Sequence, residues 1–164
     1  MSNRYDFFEK EDGYGFITSC GIEYTIYFTQ SSNFFEEYPS IYPYVIEFGF
    51  CRNDKRKNSD PKIKETIVFI LELYFEKNPD GMIYFVCDSA DKKHCARNKI
   101  FDNWFNQIEE GSRFVKYDFM PEIKGRDFYF SLITLESNRF LIQQLNLVLD
   151  SLKAKVDAKY SQIF

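Results

Sequence analysis

The stretch MIYFVCDSADKKHCARNKIFDNWF, residues 82–105, decides how this chain folds. Its first six residues, from Met82 to Cys87, are apolar without alternation, which marks a strand buried on both faces. Asp88 and Ser89 end that run, and Ser89 followed by a charged turn reads as a helix start. The helix then carries Phe101, Trp104, Phe105 and Ile108 on its inner side and closes at Gly111. In α/β sheets, the places where strand C-termini feed helix N-termini collect ligands, so a site is expected near Asp88.

Working outward, residues 5–10, 14–19 and 22–29 read as three hairpin-connected strands. In the third, Ile22, Tyr24, Ile26 and Phe28 alternate with Glu23, Thr25, Tyr27 and Thr29, the pattern of a sheet with one wet face. Residues 30–43 read as a loop with about one helical turn, and residues 44–51 as a fourth strand. Asp60 and Pro61 then supply an N-cap and a first-turn proline. Ile63, Ile67, Ile70, Leu71, Tyr74 and Phe75 recur at helical spacing until Asn78-Pro79-Asp80-Gly81 stops the helix. After the central block come strands at 113–119 and 126–135, joined through residues 120–125. A long helix follows from Asn138, with Leu141, Leu145, Val148, Leu149, Leu152 and Val156 on one face. The order ββββαβαββα predicts a single α+β domain over 1–164. Its mixed, mostly antiparallel sheet has about seven strands and three helices, and a helical crossover makes strands four and five parallel.

The composition narrows the function. With 45 % hydrophobic and 28 % charged residues among 164, the chain is not disordered. An aromatic share of 20 % predicts a core built largely of rings. A net charge of −4 argues against a nucleic-acid binder; the one basic run, RNDKRK from Arg52 to Lys57, reads as a solvated loop. No stretch is long and apolar enough to span a bilayer, and the start of the chain lacks the apolar core of a secretory signal. A cytoplasmic protein is expected, with Cys20, Cys51, Cys87 and Cys95 as thiols. His94 and Cys95 are neighbours on a helix and diverge by about 100°, so no zinc site with Cys87 is expected.

The order of elements resembles the GNAT superfamily of N-acetyltransferases, in which a meander leads to a strand, a helix, a parallel strand, a helix and a terminal hairpin. The segment ARNKIFDNWF (residues 96–105) occupies the place of that superfamily's second helix. The resemblance implies a GNAT-like fold and, for an enzyme, an acetyl-CoA donor. In that superfamily the turn before the first of these helices is glycine-rich, so that bare amides cradle the pyrophosphate. Here it reads KNSDPKIKET (residues 57–66), with no glycine, a proline lacking an amide proton, and a carboxylate at Asp60.

A closer resemblance is to a domain-of-unknown-function family of small proteins of Bacteroidota. It rests on a GIEYxVYF-like strand at 21–28, the central block at 85–105, and a terminal SLI strand at 131–133 followed by an amphipathic helix. The company kept by such proteins implies a defence or toxin–antitoxin setting, but no activity.

The candidate ligand-binding residues are Arg52, Lys57 and Lys62, which would hold phosphates, and Asp88 and Arg97 at the mouth of the sheet. Asp88 with Asp91 offers carboxylates, or else caps the helix. Arg97 offers a bidentate guanidinium, or else pairs with those acids. Ser131 has no histidine nearby in sequence and no assignable partner. The reading is a non-enzymatic interaction module without cofactor; the alternative is an acyltransferase that holds acetyl-CoA atypically. A protein partner or a second copy would dock through the terminal helix if that helix does not cover its own sheet.

Overall fold

The computed structural model describes residues 3–30, 35–56, 60–87, 113–119, 122–123, 126–127 and 129–163. Four strands, β1 (Phe7–Lys10), β2 (Gly13–Ile17), β3 (Glu23–Gln30) and β4 (Val45–Arg52), precede helix α1 (Pro61–Lys77). Then come β5 (Met82–Cys87), β6 (Phe114–Phe119), the short β7 (Glu122–Ile123) and β8 (Arg126–Asp127), β9 (Tyr129–Leu135) and helix α2 (Arg139–Ile163). A single 3-10 turn, Tyr42–Tyr44, leads into β4. Seven strands form one sheet in the order β1-β2-β3-β4-β5-β9-β6, and β7 pairs with β8 in a separate ribbon. β4 and β5 are parallel and every other adjacent pair is antiparallel.

The mixed sheet of seven strands is as expected, while the helix count is corrected. Among the described residues there are two α-helices rather than three. The helix expected between Ser89 and Gly111 lies outside the described residues. The strand expected over 126–135 also divides, because Arg126–Asp127 pairs back onto Glu122–Ile123 and only Tyr129–Leu135 enters the main sheet.

The unbroken apolar run of β5 is explained by two-sided burial. Met82, Ile83, Tyr84 and Phe85 are all buried. Ile83 and Phe85 join Phe16, Tyr24, Ile26, Phe48 and Ile133 beneath Ile63, Ile67, Ile70 and Phe75 of α1. Met82 and Tyr84 join Phe130 and Leu132 beneath Leu141, Leu145 and Leu152 of α2, with Phe35, Tyr38 and Ile41 from the segment before β4. The sheet is thus packed between two helices. Removing each such side chain from water stabilises the fold by roughly 1.5–3 kcal/mol. Tyr38 shares a 2.8 Å hydrogen bond with Ser151, fastening the 35–44 segment to α2.

The aromatic excess goes into this core. Phe16 is fully buried, with Tyr5 on one side at 5.7 Å and 11° and Tyr24 on the other at 5.1 Å and 1°. Ring pairs of this kind add about 0.5–1.5 kcal/mol beyond their burial. α2 covers its own sheet through Leu141, Leu145 and Leu152, while Phe140 and Leu147 face solvent. The β1–β2 part of that same sheet face keeps Phe8 and Ile17 exposed, at 44 % and 54 %.

Candidate functional site

The parallel pair is short. β4 and β5 are in register at Val45↔Met82, Ile46↔Ile83 and Glu47↔Tyr84. Beyond Glu47, β4 runs on to Arg52 paired with β3, and β5 runs on to Cys87 paired with β9. The two strands part at their C-terminal ends, the position where parallel sheets take ligands. At the parting, the Tyr84 hydroxyl donates to Glu47 Oε2 at 3.2 Å. Tyr27 of β3 stands opposite Gly49 of β4. Its ring lies across that glycine, where a Cβ would fall 2.0 Å from the Tyr27 hydroxyl oxygen. Burial raises the Tyr27 phenol above its ordinary value, and the charges of Glu47 and Cys51 raise it further. Cys51 is an exposed thiol two residues along the same strand face. One carboxylate, two phenols and a thiol therefore gather around a bare glycine backbone. Such a set accepts and donates hydrogen bonds and suits an amine better than an anion.

The N-terminus of α1 is built differently. Asp60 accepts the Lys62 amide at 2.9 Å through Oδ1, and its carbonyl accepts the Ile63 amide at 3.1 Å. The Tyr5 hydroxyl donates to the other carboxylate oxygen, Oδ2. The Tyr5 hydrogen bond, then the Lys62 amide, hold the Asp60 carboxyl below its usual range. The Tyr5 amide donates to Thr66 Oγ1 at 2.9 Å, and that hydroxyl donates to the Lys62 carbonyl at 2.6 Å. With Pro61 contributing no amide proton, the positive end of this helix is answered by a carboxylate of its own chain.

Of the three predicted cations, Arg52 and Lys62 are described, and each makes a contact of its own. Arg52 is exposed and donates to the Lys55 carbonyl at 3.5 Å. The Lys62 ammonium lies 5.7 Å over the Tyr5 ring. Arg56 is tied to Asp54 by a backbone bond of 2.8 Å and a guanidinium bond of 2.6 Å, and those bonds lower the Asp54 carboxyl. Asn53 exchanges hydrogen bonds with the Glu23 backbone at 3.0 and 3.1 Å, folding the basic loop against the β2–β3 turn. Lys57, Asp88 and Arg97 lie outside the described residues, as does the His94-Cys95 pair. Among the described residues, no three His, Cys, Asp or Glu side chains gather as a metal site. No helix among them is long and apolar enough to cross a membrane.

Sequence reasoning left Ser131 without a partner, and register supplies one. Ser131 of β9 pairs with Asp118 of β6, and its hydroxyl donates to Asp118 Oδ1 at 2.5 Å. Lys116 reaches the same carboxylate at 2.8 Å. This is a buried serine held by a carboxylate that already carries an ammonium. That carboxylate is spent on two bonds, so the cluster reads as a structural lock on the β6–β9 pair.

Residues 59–150 match a family model described as "Family of unknown function (DUF6169)". No curated protein and no solved structure matches the chain. The matched stretch holds α1, β5 to β9 and the first half of α2. It leaves out the β1–β4 meander, including the 21–28 strand on which the family resemblance partly rested.

Proposed function

The chain belongs to DUF6169, a family of unknown function, and on that premise we propose a non-enzymatic interaction module, a cytoplasmic protein that acts by binding. The observation that carries this reading is the closed N-terminus of α1. In the GNAT-like frame that we infer from the order of elements, a coenzyme's diphosphate would need that terminus. Its Lys62 and Ile63 amides are taken by Asp60, and the Asp60 carboxylate occupies the ground. Two like charges at such range cost about 1–4 kcal/mol, depending on exposure. Phe8 and Ile17, exposed on one face of the meander, give a protein partner apolar surface to bind. The bacterial origin and the defence or toxin–antitoxin setting rest on the family resemblance.

Thermal-shift titration with acetyl-CoA tests the reading. No shift is expected at millimolar ligand. A true donor at 100 times its dissociation constant adds about 2.7 kcal/mol of stability, and such a shift overturns the module.

A second reading is favoured by one observation, the Glu47 carboxylate at the parting of β4 and β5. A carboxylate facing an opening between strands is placed to take a proton from an amine acceptor. In that reading the chain is an acyltransferase whose donor phosphates are held by Arg52, Lys57 and Lys62, and Glu47→Gln abolishes transfer while leaving donor binding intact.

A further inference from the structure

The other end of α1 borders a cavity of about 300 Å3 that neither reading uses. Its wall is aromatic. Phe28 and Tyr74 stack at 4.7 Å and 8°, and Tyr14 stands beside them. Its rim is Glu9 at the end of β1 and Glu11 and Asp12 of the β1–β2 turn, together with Lys77 from the last turn of α1. The turn is firmly seated. The Asp12 carbonyl accepts the Phe28 amide at 2.8 Å, and a Cβ at Gly13 would fall 2.0 Å from the Ile26 carbonyl oxygen.

Among the described residues, the charges around this cavity are unbalanced. None of the three carboxylates has a hydrogen-bond or ion-pair partner among the described residues. Lys10 is committed elsewhere, to Glu23 at 2.6 Å and Thr25 at 2.8 Å. The helix presents its negative end here. Among the described residues only Lys77 answers, with its ammonium 3.2 Å from the Tyr14 hydroxyl and 5.9 Å from the centre of that ring. Tyr74 lines the cavity, its hydroxyl has no hydrogen-bond partner among the described residues, and burial pushes its pKa up to about 12.

We propose that this cavity is a binding site for an organic cation. The ligand is an alkylammonium or guanidinium group whose charge faces Glu9, Glu11 and Asp12 and whose body lies on the Phe28–Tyr74 stack. An anion is repelled by the three carboxylates, and a bare metal ion makes no use of the rings, whereas a cation with a hydrocarbon or planar body uses both. Lys77 is the internal occupant that such a ligand displaces. The inference stands whether the chain is a module or an enzyme.

The same chemistry comes from a free amine or from a lysine or arginine side chain of another protein. Amide resonances of Gly13 and Asn78 in the intact chain are followed by NMR during titration with spermidine, with a short Lys-Arg peptide, and with inorganic phosphate. Saturable shifts with a cation and none with phosphate are expected; tighter binding of the peptide assigns the source to a partner, and of spermidine to a small molecule. Glu11→Gln and Asp12→Asn, both at exposed turn positions, each weaken binding about two- to fivefold, while Lys77→Met strengthens it by a similar factor. Absence of saturable shifts with either cation at tens of millimolar overturns the proposal. So does weaker cation binding in Lys77→Met, with melting temperature confirming that the variant is folded.

Discussion

The two ends of α1 obey the same electrostatics and finish in opposite conditions. At the start of the helix, Asp60 turns a carboxylate onto the first amides and Tyr5 closes over it. At the finish, Asn78 caps the Tyr74 carbonyl with its backbone and side-chain amides at 2.9 and 3.0 Å. The neighbouring end of β1 and its turn then add three carboxylates to a terminus that is already negative. A helix terminus becomes a binding site only when its own chain leaves the dipole unanswered. By that test the Asp60 end is finished structure, and the Lys77 end retains a capacity to bind.

The comparison breaks most severely if α1 is loosened from the sheet. Ile67 is fully buried in its middle, and Ile67→Ala should cost about 2–5 kcal/mol in chemical denaturation, degrading both ends at once. Asp60→Ala should cost about 1 kcal/mol and touch the first end alone. The Asp60 carboxyl is held below its usual range by Tyr5 and the Lys62 amide. Its contribution is therefore complete above the unfolded value near pH 3.9 and is lost as pH falls through the lower folded value. Asp60→Asn, which keeps a capping oxygen, should flatten that acid limb of the stability profile. Tyr74 makes the converse case at the far end, because burial pushes its phenol from 10.0 to about 12. The neutral ring contributes fully below about pH 10, and that contribution is lost as pH rises from about 10 to about 12. Tyr74→Phe should remove this alkaline loss, a change on the order of 1 kcal/mol once solvent screening is counted. Unaltered acid and alkaline limbs in these variants would erase the distinction between the two ends.

Much of the frame was legible because it is written in local pattern. The run from Met82 to Phe85 announced burial on both faces, Asp60-Pro61 announced the start of α1, and Asn78 to Gly81 announced its stop. The helical crossover implied the parallel pair that β4 and β5 form. What escaped depends on pairing across long distances. Nothing in residues 129–135 says that β9 enters between β5 and β6. Glu47 within YVIEFGFC looks like an ordinary outward residue until the register sets it beside Tyr84. Tyr84 itself was hidden in an apolar run, and Gly49 gave no hint that the Tyr27 ring needs the space of its missing side chain. Ser131 likewise acquired Asp118 only through the β6–β9 register. Arg52 and Lys62 turn to contacts within their own neighbourhoods, and the residues from the central block lie outside the described set.

The late entry of β9 between two earlier strands has a consequence for synthesis. As the chain leaves the ribosome, β5 presents an unsatisfied row of amides and carbonyls toward β9's vacant place until residues 129–135 have been made. At roughly 5–20 residues per second that interval lasts a few seconds. A nascent chain in that state offers an adhesive ribbon to any neighbour. Truncation before β9 should therefore yield a product inclined to aggregate.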